Sequence, residues 1–456
     1  MMKGRGWIWS LAMCLVLSSP HVRAEAEGER ADVETAQASV PALSDPGESV
    51  EESINAYFLG PVGSELKARA ARGEIYVGYA TAEVKVGPTS PQWGKHRAAA
   101  YENALIEAEN AFIRARGLKS QAEKLREYFS DTDRPVPNFQ PEDLADGGKA
   151  ERIVSKLLSV AEGRLDKELR ELGVDEEDFR AAAPPQRQVL FREALNRTTT
   201  REALADLAGL MTMKTFEAHN SAGEHVIGVV VVQSPGLKEF AREIVSARGD
   251  IKADKSKAGP PIYEAIAAEP NLLVDEFGLR RLYDEEGFPV LISFGQSANA
   301  YTGEDSRKRR RYREAAKKVA EASADAGITF FVAGKANWTS KTSQDELLEE
   351  AVKVHPDGFR DQDDMIAAIE TVRELSRARA KANLTGLTTV HSWSMAHPLY
   401  PDQEVVGVVR MYSPKSERMA RQLDRPAKQT VAPSEVPRTG QTGVRSSKDR
   451  MDVHDF

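Results

Sequence analysis

The chain has a single cysteine, Cys14, among 456 residues, and only 8 histidines. If Cys14 lies in a leader that is removed, the mature chain has no thiol. Disulfides and thiolate metal sites are then excluded, and an oxidising compartment poses no redox liability. Long apolar runs are lacking too. Past the leader no stretch approaches the roughly 18 apolar residues that a bilayer span needs, so a soluble mature chain is expected. A P-loop, a dinucleotide glycine fingerprint, a zincin helix and a nucleophile elbow are all missing. "GQSANAYTG" has glycine and serine but not the spacing that cradles phosphate. These absences argue against the common NTPases, hydrolases and metalloproteases. No cofactor or metal is expected, and no catalytic residue stands out.

What is present starts with a leader. Lys3 and Arg5 precede the apolar run "WIWSLAMCLVL" (Trp7 to Leu17), and Val22 and Ala24 fit the −3 and −1 positions of a cleavage site. That pattern predicts a signal peptide over residues 1–24. Cys14 sits inside the apolar run behind Met13, which is not the small residue that lipidation needs. Removing the leader's Lys3, Arg5 and Arg23, and no acids, moves the net charge from −8 to near −11. An acidic chain argues, weakly, against nucleic acid or an anionic membrane as the main partner. Residues 25–52 and 425–456 are rich in charge, Ser and Pro without apolar period, and read as disordered ends. Residues 251–276, which begin within "ARGDIKADKSKAGPP", read as a linker.

The central feature is a repetition. "GLMTMKTFEAH" with "HVIGVVVVQSP" (Gly209 to Pro235) recurs as "GLTTVHSWSMAH" with "EVVGVVRMYSP" (Gly386 to Pro414). One small insertion in the second turn keeps Gly228 on Gly407, Ser234-Pro235 on Ser413-Pro414 and Ala241-Arg242 on Ala420-Arg421. This predicts a duplication, with units at 53–250 and 277–424. Upstream, "EIYVGYATAEVKV" aligns with "PVLISFGQSANAY", placing Gly78 on Gly295.

Each unit reads strand, Ala-rich helix, further helices, strand, turn, strand, helix. The Val-rich runs are β-branched and fit strands. Ser-Pro fits an N-cap with proline at the first helical position. Small residues on one strand face (Gly78, Ala80, Ala82; Gly295, Ser297, Asn299) invite close approach of helices carrying Ala104, Ala108 and Ala111, or Ala316, Ala320 and Ala324. The expected fold class is α+β: two tandem related domains, each a small antiparallel sheet in β-α-α-β-β-α order covered by Ala-rich helices. The first unit adds long helices near 149–172 and 186–207. The second has shorter ones near 344–354 and 361–384. "GITFFVAG" (Gly327 to Gly334) reads as the end of the Ala-rich helix rather than a strand. "FGLRRLYDEEGFP" reads as a turn at Glu286-Gly287 leading into the second unit's first strand.

This order, with a glycine in the first strand, resembles the small modules of exported outer-membrane lipoproteins and of the periplasmic flagellar-assembly T protein. The duplicated chain as a whole resembles a bacterial exported family of unknown function. The resemblance spans about 75–250 and 277–424 and carries no catalytic motif. It implies an envelope-resident binding or scaffold role. The chain departs from it in lacking a lipobox and in its enlarged first insert.

Candidate site residues are few. His219 and His225 flank one turn, and His391 and His397 lie near the other; a hairpin brings such pairs within metal reach, but turn-flanking polar residues on solvent are the simpler reading. Glu102, Glu107 and Glu109 on the first Ala-rich helix read as a solvated face. The basic run Arg307, Lys308, Arg309, Arg310 and Arg311 suits an anionic ligand, against the alternative of a solvated helix turn. At matched positions the second copy has His391, Trp393, Arg410 and Tyr412 where the first has Lys214, Phe216, Val231 and Gln233. If the two pairs share a sheet face they form an aromatic and cationic recognition patch. The N-x-[S/T] matches at Asn196, Asn337 and Asn383 matter only in a eukaryotic secretory route. The sequence thus favours a periplasmic or secreted, non-catalytic protein that binds or scaffolds an envelope protein or polymer. The alternative is a hydrolase of an envelope polymer with its site between the repeats.

Overall fold

A computed structural model describes residues 45–132, 134–161, 165–268, 270–332 and 384–423. The expected leader, the helices near 344–354 and 361–383, the tail from 425, Asn337 and Asn383 lie outside them. The β-branched runs form two antiparallel sheets. The first has strands β1 (Tyr76–Glu83), β2 (Met211–His219) and β3 (His225–Gln233) in the order β1-β3-β2. The second has β4 (Gly278–Tyr283), β5 (Pro289–Asn299), β6 (Thr388–Ala396) and β7 (Glu404–Tyr412) in the order β4-β5-β7-β6. The α+β class is as expected.

The two sheets share detail at residue level. Phe216 pairs with Gly228, and Trp393 pairs with Gly407. The register slips between Thr212 and Lys214, and again between the matched Thr389 and His391. Ser234 caps α8 (Pro235–Ala247) by accepting from Leu237 N at 3.1 Å. Ser413 does the same for Ser416 N at 3.0 Å at the start of α11 (Pro414–Leu423). Gly209 and Gly386 have φ of 78° and 83°, and a Cβ on either would collide with the backbone of the closing helix. Pairing does correct the upstream alignment. Thr81 faces Gly228 and Gln296 faces Gly407, so Ala80, not Gly78, matches Gly295. A slip of two keeps the same face, so the small-residue argument survives the shift.

Every residue of β3 is buried, because helices cover both its faces. On one side lies α1 (Pro46–Leu59), whose Val50, Ile54 and Phe58 cluster with Val226 and Val230. Residues 45–52 therefore open a packed helix, capped by Asp45, rather than belonging to a disordered arm. On the other side lies α3 (Trp93–Ser130), which presents buried Ala100, Ala104 and Ala108; Ala111 is exposed, one step off the expected stripe. The second sheet receives α10 (Ser306–Val332) through Ala316, Ala320 and Ala324. A Cβ on Gly295 would lie 1.9 Å from the Ala320 carbonyl oxygen. Residues 327–332 end that helix, as the sequence indicates.

Three further departures follow from packing. β4 forms a hairpin with β5, giving the second sheet a strand that the first lacks. The insert divides into α4 (Gly147–Ala161), α5 (Asp166–Glu171), α6 (Glu176–Ala181) and α7 (Pro184–Ala205). The segment read as a linker holds α9 (Ile262–Ala267) and a 3-10 turn (Pro270–Asp275). Their Ile262, Ile266 and Leu273 pack on Val290, Ile292 and Val409 of the second sheet. The two sheets also share a core: Met211, Phe240 and Ile244 cluster with Ile328, Phe331 and Tyr412.

Candidate functional site

The densest constellation of chemistry-bearing side chains lies where the sheets meet. Trp93 and Arg97 are one turn apart on α3, so they share its inward face. Glu217 and His219 share a face of β2 by period two, and His225 pairs directly with His219. The turn between β6 and β7 brings His397, Tyr400 and Gln403 from the second copy. Gln403 anchors that turn by donating from Nε2 to the carbonyls of Pro88 and Ser90, at 2.8 and 3.0 Å.

Arg97 organises the cluster and is only 1% exposed. Its guanidinium grips Glu217 with two hydrogen bonds, one of 2.7 Å from Nε. It also donates to Gln296 Oε1 of β5 at 2.8 Å and to the Val274 carbonyl at 2.7 Å. Gln296 in turn donates to the carbonyls of Leu273, Val274 and Glu276. One buried cation thus ties the first sheet to the second, with its donors directed at a carboxylate, an amide and a carbonyl.

Three imidazoles and two larger rings close around Glu217. His225 Nε2 touches Glu217 Oε1, and His397 Nε2 lies 3.7 Å from the same oxygen. His225 Nδ1, on the other side of the ring, is buried without a hydrogen-bond partner among the described residues. Trp93 Nε1 and Tyr400 Oη share that condition. The Trp93 ring sits 5.2 Å from His225, 5.0 Å from His397 and 4.9 Å from Tyr400. His397 stacks on Tyr400 at 5.4 Å. Burial pushes the Glu217 carboxyl up, but the Arg97 charge, its hydrogen bonds and the imidazole contacts outweigh this and hold it well below the usual range. Burial, then the neighbouring His225, lowers the pKa of His219. Burial, then the Glu217 charge, raises those of Asp275 and Tyr400. Among the described residues no group of three or more His, Cys, Asp or Glu is arranged to hold a metal ion. The arrangement is a sealed, self-paired electrostatic joint.

The structure thus corrects the reading of the turn histidines as solvent-facing. His225 and His397 are buried and converge from different copies, while His391 is elsewhere. The register also separates the two expected pairs. His391 and Trp393 lie opposite Val409 and Gly407, on the face covered by α9, whereas Arg410 and Tyr412 point to the other face. Trp393 lies over Gly407. Arg410 binds Asp325 at 2.6 Å and Glu321 at 3.2 Å of α10. Tyr412 is fully buried and donates to Glu417. The four residues form no common patch. Nor do the α3 acids make a solvated face: Glu109 is buried, Glu107 is half-buried, and Glu102 accepts from Ser323 at 3.1 Å. The basic run behaves differently. Arg307, Lys308, Arg309, Arg310 and Arg311 are all exposed at the start of α10. Asp305 caps that start by accepting from Arg307 N and Lys308 N, and Arg309 donates to the Gly303 carbonyl. A cavity of about 560 Å³ opens in the helical insert, between Leu158, Leu169, Phe179 and Arg187.

Residues 150–246 match a family described as a domain of unknown function, DUF6844. The segment holds most of the insert and the β2–β3 hairpin, with Glu217, His219 and His225. A search of curated proteins returns no match to the chain. Among solved structures, the chain is similar to a hypothetical protein from Francisella tularensis, at 20% identity and a TM-score of 0.46, over 84% of this chain and 93% of that one. Among the described residues no helix is long and apolar enough to cross a membrane.

Proposed function

We propose that the protein is exported and binds an anionic envelope partner, without catalysis, through the basic start of α10. The observation that carries this reading is the exposure of that turn. From Glu304 to Ala315 every residue is exposed, and Ala316 is the first buried one. The helix therefore leads with Arg307, Lys308, Arg310 and Arg311 before it meets the sheet. On a chain of net charge −8 such a local excess of cations marks a surface kept for negative charge. Tyr312, 50% exposed and 5.5 Å from the Tyr301 ring, adds an aromatic face beside it. The sealed state of the Arg97–Glu217 cluster favours a structural part for it.

Binding to polyanion beads by the chain without its leader tests this, compared with a variant carrying Glu at 307, 308, 310 and 311. Retention that falls with salt in the parent and is lost in the variant supports it; equal retention overturns it. A second reading rests on the cluster lying between the repeats, where a hydrolase of an envelope polymer would place its site. It requires turnover of purified envelope polymers that disappears with Glu217→Gln in a folded protein.

A further inference from the structure

We propose that the cluster of Arg97, Glu217, His219, His225 and His397 is an acid-sensitive latch. It holds the β6–β7 turn of the second copy against the first sheet while the imidazoles are neutral, and releases it when they take up protons. The inference is independent of the α10 surface.

The count of charges makes the case. With neutral imidazoles the joint contains one guanidinium and one carboxylate, and these neutralise each other through two hydrogen bonds. Each proton taken up places a further positive charge in a site where His225 is 1% and His397 2% exposed. Their rings are 6.4 Å apart, and His219 lies 6.0 Å from His225. Buried like charges at such range repel strongly.

The facing groups offer little compensation. From α3 come Trp93 and the cation Arg97; from β2, Glu217 and His219; from β3, His225; from the turn, His397 and Tyr400. From β5 comes the uncharged Gln296. From the 3-10 turn come Asp275 and, beyond it, Glu276, which is bound to Arg280 at 2.9 Å. Glu217 accepts two hydrogen bonds from Arg97, which offsets its charge, and its Oε1 also faces Nε2 of His225 and of His397. Among the described residues Asp275 is the further acid within the cluster's field, and it can offset one proton, not three. Burial, then the neighbouring His225, lowers the pKa of His219.

The unpaired atoms point the same way. Nδ1 of His225, Nε1 of Trp93 and Oη of Tyr400 have no hydrogen-bond partner among the described residues, and Nε2 of His225 has its contact with Glu217. The turn is thus held by ring packing, by the 3.7 Å approach of His397 Nε2 to Glu217 Oε1, and by Gln403 on Pro88 and Ser90. Ring packing weakens when a ring becomes charged beside a guanidinium, and the Gln403 bonds alone are two neutral hydrogen bonds of modest net worth. The moving part is then the short segment from His397 to Gln403, with the sheets still joined through Arg97 and Gln296.

Hydrogen exchange followed by mass spectrometry on the chain without its leader tests the latch. Rates are corrected for the intrinsic effect of pH, and peptides over 396–404 are compared with peptides of the α7 insert. Between pH 7.5 and 5.5 the turn should lose protection about tenfold or more, since each linked proton changes an equilibrium by up to tenfold per pH unit. The insert peptides should not change. The variant His225→Gln/His397→Gln should show equal turn protection at both pH values; if it is too unstable to use, His219→Gln alone should reduce the pH response. Three outcomes overturn the proposal: an unchanged turn in the parent, a loss shared by the insert peptides, or an undiminished response in the folded variants.

Discussion

Gly228 and Gly407 occupy the same place in the two sheets and admit different neighbours. At Gly228 a Cβ would lie 2.4 Å from Val50 of α1; at Gly407 it would lie 2.1 Å from the indole of Trp393. Helix α1 covers that face in the first copy, and Trp393 with α9 covers it in the second. Gly407→Ala should therefore destabilise the protein by about 1–3 kcal/mol, the usual cost of overpacking. Trp393→Leu in the same chain should recover part of that loss in urea unfolding, whereas it should not relieve Gly228→Ala. Arg97 provides a second residue-scale prediction. Arg97→Met leaves the Glu217 carboxylate buried without its partner and should cost about 3–5 kcal/mol. The pair Arg97→Met/Glu217→Gln should cost less than the single change. Unfolding of the set gives a coupling energy, and additivity within about 0.5 kcal/mol would contradict the geometry.

At the scale of elements, the closing helices repeat one device. Ser234 and Ser413 each cap a helix that begins with proline, so Ser234→Ala and Ser413→Ala should each cost about 1 kcal/mol in chemical denaturation. Their similarity is itself the check, since one strong and one negligible effect would break the match between copies. Much of this level was legible beforehand. The Val-rich strands, the turns, the Ser-Pro caps and the Ala stripe of α10 follow from local pattern, because strand period, cap chemistry and small-residue spacing depend on neighbours in sequence. Other elements were not legible. α1 is short and acidic, and its Val50, Ile54 and Phe58 form a stripe only against the outer face of β3. The helical segments between 255 and 275 look like a charged linker until Ile262, Ile266 and Leu273 find the second sheet. The site was legible only in part. Sequence pattern points to the four turn histidines, but not to Arg97, Glu217, Trp93 and Tyr400. The available signal was parity: Glu217, His219 and His225 share the strand face of Ile227, Val229 and Val231, which the Ala-rich helix covers.

For the whole molecule, stability should fall on acidification in two stages. The folded state lowers the His219 pKa from 6.5, so that contribution is present above about 6.5 and is lost as pH falls through it. Glu217 is held well below 4.5, so its contribution is present above that value and is lost at lower pH. The midpoint of urea unfolding should decline from about pH 6.5 downward and steepen below about 4.5. His219→Gln should shrink the upper stage and spare the lower. Export is tested at the same scale: mass spectrometry of the native protein should show a chain beginning at Glu25.

The sequence by itself determined that two like units exist, which strands and caps they use, and that the chain has few groups able to do chemistry. These are properties of local pattern, set by spacing along the chain. Only the tertiary structure decided that His225 and His397 meet, that Trp393 and Arg410 part to opposite faces, and that the α10 basic turn is exposed. Such relations join residues up to 315 positions apart, as Pro88 and Gln403 are. They are fixed by how two sheets bury their faces against shared helices, and no local period encodes that.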